Sequence, residues 1–161
     1  MYIVTPDRPF RLDHATIGRV EVSLVRNRLR RAIDAARDRA QHERERSATA
    51  ERAYMVFLKD VATPVTRLVA NTLKVEGYPF TVFTPGGGLR LASDRGRDDY
   101  IEFALDSTAD PPHVVGRIRH TRGSRTLSEE RPIRNGAAPD ALSEEDVLAF
   151  LLSALEPWLQ R

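Results

Sequence analysis

Between Arg19 and Thr63 the chain contains neither glycine nor proline. Nothing in that stretch forces the backbone to turn. Apolar residues recur there at helical spacing: Val22, Val25, Leu29, Ile33, Ala36 and Ala40, then Tyr54, Phe57, Val61 and Leu68 beyond a polar interval. The pattern predicts a long helical region over residues 14–76, as one bent helix or as an αα-hairpin.

The first part carries heptad spacing. Val22, Val25, Leu29, Ala32 and Ala36 advance by steps of 3, 4, 3 and 4, which keeps them on one helix face. Arg19, Arg26, Arg28, Arg30, Arg31 and Arg37 flank that stripe. From Arg37 to Arg52 no apolar residue larger than Ala occurs. A helix there has little to bury, although alternating charges support an exposed helix weakly. The competing expectation is a break at Ser47-Ala48-Thr49, with a new helix capped near Ala50.

Apolar texture returns at Tyr54. Pro64 lacks an N–H and clashes with the carbonyl of Asp60, so a kink or restart is expected, with Thr63 as cap. Gly77 suits the left-handed position after a helix end, and Pro79 blocks continuation. On the N-terminal side, Tyr2-Ile3-Val4 reads as a short strand or arm, Pro6 and Pro9 keep the chain extended, and Asp13 is an expected N-cap. The segment Met1–Arg11 lacks the apolar core of a signal peptide.

Strand-type runs follow. Phe80–Thr84, Leu89–Leu91, Tyr100–Leu105 and His113–His120 are β-rich or alternate apolar with polar residues, and polar or Gly/Pro-rich turns separate them. They predict an antiparallel meander of about four strands over residues 79–128. Residues 129–142 read as a linker crossing the sheet. Ser143-Glu144-Glu145-Asp146 resembles a capping box for a closing amphipathic helix over 143–160. Pro157 should end its regular part or open a last turn. The expected class is α+β in a single domain, residues 1–161, with the C-terminal helix packed on the sheet.

Composition narrows the chemistry. The chain has no cysteine, which excludes disulfides, thiolate nucleophiles and Cys-based metal centres. No apolar run reaches the ~18 residues of a membrane span, so no membrane partner and a cytoplasmic location are expected. Arg supplies 23 of the 25 basic residues; codon usage in a GC-rich genome is the ordinary explanation, and an Arg-based binding surface is the alternative. Gly86-Gly87-Gly88 lies between two strands and lacks the Lys-Ser/Thr of a phosphate loop, so it reads as a hairpin turn. His14, His42, His113 and His120 have no metal-site spacing, and the last two point to opposite strand faces. Asp98-Asp99 and Glu129-Glu130 read as solvated loop acids. No cofactor, metal or catalytic residue is assigned, and an enzyme is not expected.

Two interaction surfaces remain. The stripe Val22, Val25, Leu29, Ile33 and Ala36 is the candidate protein interface. A helix of ~45 residues would reach ~68 Å, against ~30 Å for a globule of ~110 residues. The expected function is therefore a non-catalytic scaffold, adaptor or chaperone-like protein that forms a homo-oligomer or binds a protein partner through this helix. Arg117, Arg119, Arg122 and Arg125, near His120, form the candidate nucleic-acid site, with Arg26, Arg30, Arg37 and Arg44 of the helix as further phosphate contacts. No aromatic residue is interleaved with them for base stacking. A small-ligand pocket between sheet and helix is the third possibility.

Overall fold

The computed structural model describes residues 21–160. The expected strand at Tyr2–Val4, the cap at Asp13 and His14 lie outside them. The chain clusters into two compact units, residues 1–41 and 42–161.

The helix α1 spans Val22–Phe57, 36 residues without interruption. Residues 37–52 are therefore helical, and the expected alternative of a break at Ser47–Thr49 is not realised. Small side chains make this possible: Ala50 is buried, and Ser47 and Ala48 are half-buried. Bulkier residues would hold the helix away from its surroundings. Thr49 returns its hydroxyl to the Glu45 carbonyl at 2.9 Å, which leaves the helix intact instead of capping a new one. Arg46 pairs with Asp110, 64 residues further along the chain.

The disturbance required by Pro64 is met by a π-helical turn, Leu58–Ala62. The Thr63 N–H donates to the Leu58 carbonyl, five residues back. Thr63 is thus inside the helix and no side chain caps it, contrary to expectation; the wider turn accommodates the proline ring without a restart. α2 runs Thr63–Val75. It closes in a Schellman motif: Tyr78 N donates to Leu73 O at 2.7 Å and Gly77 N to Lys74 O at 3.2 Å, with Gly77 at φ +85°.

Five strands follow: β1 Phe80–Phe83, β2 Leu89–Ser93, β3 Tyr100–Asp106, β4 His113–Arg122 and β5 Arg125–Pro132. They form one antiparallel sheet in sequence order. The count is five rather than about four, because the chain beyond His113–His120 turns back at Gly123 into a full strand, β5, which runs on through Glu129–Pro132, read as linker. The register explains why so polar a run is a strand. Glu130 stands opposite Arg117 and Glu129 opposite Ile118 on a sheet edge, where a solvated polar strand costs little. The Gly-rich turn joins β1 to β2 as expected, with Gly88 N donating to Pro85 O at 2.7 Å.

A short 3₁₀ turn, Pro139–Ala141, leads to α3, Glu144–Leu159. Ser143 and Asp146 form the expected capping box. Pro157 lies inside the last turn of α3. One face of the sheet, with Leu89, Leu91, Ile101, Phe103, Val114 and Ile118, packs in the same core as Val147, Phe150, Leu151, Leu155 and Trp158 of α3. Tyr54, Phe57 and Leu58 join that core, so the second apolar segment of the long helical region belongs to its own sheet. The close approach of α3 depends on Gly116: a Cβ there would lie 2.1 Å from Phe150 Cζ.

Candidate functional site

The stripe in the first unit is laid out as the spacing requires. At 100° per residue, Val22, Val25, Leu29, Ile33 and Ala36 fall on one helix face. All are exposed: Val22 at 76%, Leu29 at 57%, Val25 at 48% and Ile33 at 41%. Leu24, which points away from that face, is exposed too. Scattered exposed apolar residues are ordinary, but a contiguous row of branched side chains is the form that interaction surfaces take.

The four hairpin arginines are brought near one another, but not as one free patch. Arg117 and Arg119 lie on the sheet face turned away from α3. Arg117 Nε donates to Glu130 Oε2 at 2.6 Å, and this bond, with Glu130's charge, raises the guanidinium pKa. Arg117 also belongs to a cross-strand row, Arg90–Glu102–Arg117–Glu130, in which each residue is the register partner of the next. Arg90 Nε donates to Glu102 Oε2 at 2.6 Å, and its guanidinium lies 4.2 Å from the Tyr100 ring centre. Alternating charge along such a row stabilises the sheet and neutralises its own bases. Arg119 sits one row along, half-buried, opposite Ser128. Arg122 and Arg125 face each other at the hairpin end. These three have no carboxylate within ion-pair distance among the described residues.

Sequence reasoning missed two features. The first is Asp99, read as a solvated loop acid. It is only 5% exposed: Oδ1 accepts from Thr121 N at 2.7 Å and Oδ2 from Trp158 Nε1 at 3.1 Å. His120 packs edge-on to Trp158, ring centres 4.8 Å apart, and its buried Nε2 has no hydrogen-bond partner among the described residues. As expected, His113 is on the other face of β4. The signal that could have found Asp99 is the tight SDRGRDD loop ahead of an alternating strand. The second feature is an apolar groove of about 360 Å³ between α2 and α3, with Leu68, Leu73, Leu148 and Leu152 in its walls. Leu68 is 67% and Leu152 54% exposed.

Among the described residues no three His, Cys, Asp or Glu side chains come together as a metal site, and no helix is long and apolar enough to cross a membrane. A cavity of about 290 Å³ beside Asp99 is lined chiefly by the β2–β3 loop and the turn ahead of β1, with Trp158 contributed by α3. Comparison of the chain with protein-family models, with curated proteins and with solved structures gave no match.

Proposed function

We propose that this chain is a non-catalytic, cytoplasmic scaffold, adaptor or chaperone-like protein that self-associates through the stripe Val22, Val25, Leu29, Ile33 and Ala36 of α1. The observation that carries the reading is the exposure of these branched side chains along one face of an unbroken helix. Burying a Leu or Val side chain contributes ~1.5–3 kcal/mol, set against the ~4–15 kcal/mol that association costs in lost freedom, so the whole row and the surface it meets must contribute. The flanking arginines keep the unassociated helix solvated and give the interface a charged rim. Replacing Leu29 by Asp tests the proposal. Leu29 is exposed in the folded chain, so the substitution spares the fold, and light scattering should show the associated species lost. An unchanged mass distribution refutes the assignment of the interface.

A second reading rests on Arg122 and Arg125, two like charges opposed across one hairpin. Such a pair is unfavourable by itself and is relieved by a bound phosphate, which makes the hairpin end, with Arg119, a nucleic-acid contact. Its test is salt-sensitive binding of duplex DNA or RNA, weakened by Arg119→Glu with Arg122→Glu. No binding at low salt removes it.

A further inference from the structure

We infer that the α2–α3 groove of one copy receives the α1 stripe of a second copy. This rests on the self-association just proposed and names the surface that the stripe meets. Three features of the two surfaces match. The first is chemistry: the groove walls are aliphatic, from Leu68 and Leu73 on α2 and Leu148 and Leu152 on α3, and the stripe offers branched aliphatic anchors at i, i+3, i+7 and i+11, the pattern of a helix laid into a groove.

The second is charge. α3 carries Glu144, Glu145, Asp146 and Glu156 and no base. Glu144 and Glu145 stand at the groove itself, whereas Arg67 and Lys74 of α2 are not part of its walls. The stripe helix between Glu21 and Arg39 carries six arginines against three carboxylates. Arginine rims on the stripe therefore meet carboxylate rims on the groove, which favours this pairing over two Arg-flanked stripes side by side.

The third is length. Val22 to Ala36 rises ~21 Å, and α2 is ~20 Å long at 1.5 Å per residue. Each copy carries one stripe and one groove, so stripe-to-groove contacts build either a reciprocal dimer or a head-to-tail assembly.

The test uses full-length chains with Leu29→Asp, which spoils the stripe, and Leu152→Asp, which spoils the groove at an exposed position. Circular dichroism first confirms that both fold. Each variant alone should self-associate more weakly than the wild type by at least about 30-fold, the loss expected for an interface anchor. An equimolar mixture should recover a heterodimer in sedimentation, because the intact stripe of the Leu152→Asp chain fits the intact groove of the Leu29→Asp chain. A Leu152→Asp chain that associates like the wild type while the Leu29→Asp chain does not overturns the groove assignment and leaves the stripe as interface. A mixture that stays monomeric overturns it as well. A monomeric wild-type chain removes the underlying self-association.

Discussion

Trp158 Nε1 donates to Asp99 Oδ2 across 3.1 Å, joining residues 59 positions apart in the chain. The bond ties the last turn of α3 to the β2–β3 loop, and the second carboxylate oxygen holds the Thr121 N–H of β4. Three segments converge on one buried carboxylate. Asp99→Ala leaves two buried N–H groups without acceptors, each costing ~1–3 kcal/mol. The expected loss is about 3 kcal/mol in urea unfolding. Trp158→Phe removes the donor and leaves Oδ2 of the buried carboxylate unpaired, so it should also destabilise the fold. A loss below ~1 kcal/mol for Asp99→Ala would show that water replaces the carboxylate.

Gly116 and Phe150 define how closely α3 approaches the sheet. Gly116→Ala places a methyl group where the Phe150 ring now lies, an overpacking that should cost ~1–3 kcal/mol. Phe150→Leu in the same chain vacates that space and should restore part of the stability, so that the two substitutions are non-additive in a double-mutant cycle. Additive losses would mean that the ring and the glycine do not constrain one another.

Tyr54 supplies a pH signature. Its hydroxyl donates to Phe103 O at 3.0 Å. Burial, with Glu102 adding to it and Arg117 opposing, pushes its pKa up to about 12. A raised folded-state pKa means the folded chain holds the proton more tightly than the unfolded one. That contribution is fully present below the unfolded value near ~10 and is lost as pH rises through about 12. Tyr54→Phe should cost ~1 kcal/mol at neutral pH and be less sensitive than the wild type to unfolding between those values. Equal alkaline sensitivity of the two proteins would contradict the placement.

Asp146 supplies the acid counterpart. The Ser143 backbone N–H, at 2.8 Å, is the first cause of its lowered pKa, followed in effect by the Ser143 hydroxyl and Arg134. A depressed pKa contributes stability above the unfolded value of ~3.9 that disappears as pH falls through the folded value. Asp146→Ala should therefore weaken the protein by ~1 kcal/mol at neutral pH, in the range of a lost cap. The gap to the wild type should close on acidification below about pH 4; a constant gap would assign the effect to packing instead.

Features whose cause is local were legible in the sequence. Gly77 and Pro79 announce the Schellman end of α2 because only a few residues decide a helix terminus, and Ser143 with Asp146 announces α3 for the same reason. Alternation revealed β3 and β4. Features that depend on register were not legible: Glu130 becomes the partner of Arg117 only when β4 and β5 align, and a run such as Glu129–Pro132 has no apolar face to mark it as a strand. Asp99 looks like any loop acid until the chain returns Trp158 to it. The groove is invisible in the sequence because its walls come from two helices separated by the entire sheet. The stripe of α1, by contrast, was legible because it lies on one helix.

The most direct test is sedimentation velocity of the wild-type chain over nanomolar to high micromolar concentrations, beside the Leu29→Asp chain. Self-association through α1 predicts a wild-type mass that rises with concentration to that of a dimer or larger assembly, and a variant that remains at the monomer mass throughout. A wild-type chain that stays monomeric at every concentration, or a variant that assembles like the wild type, would contradict it.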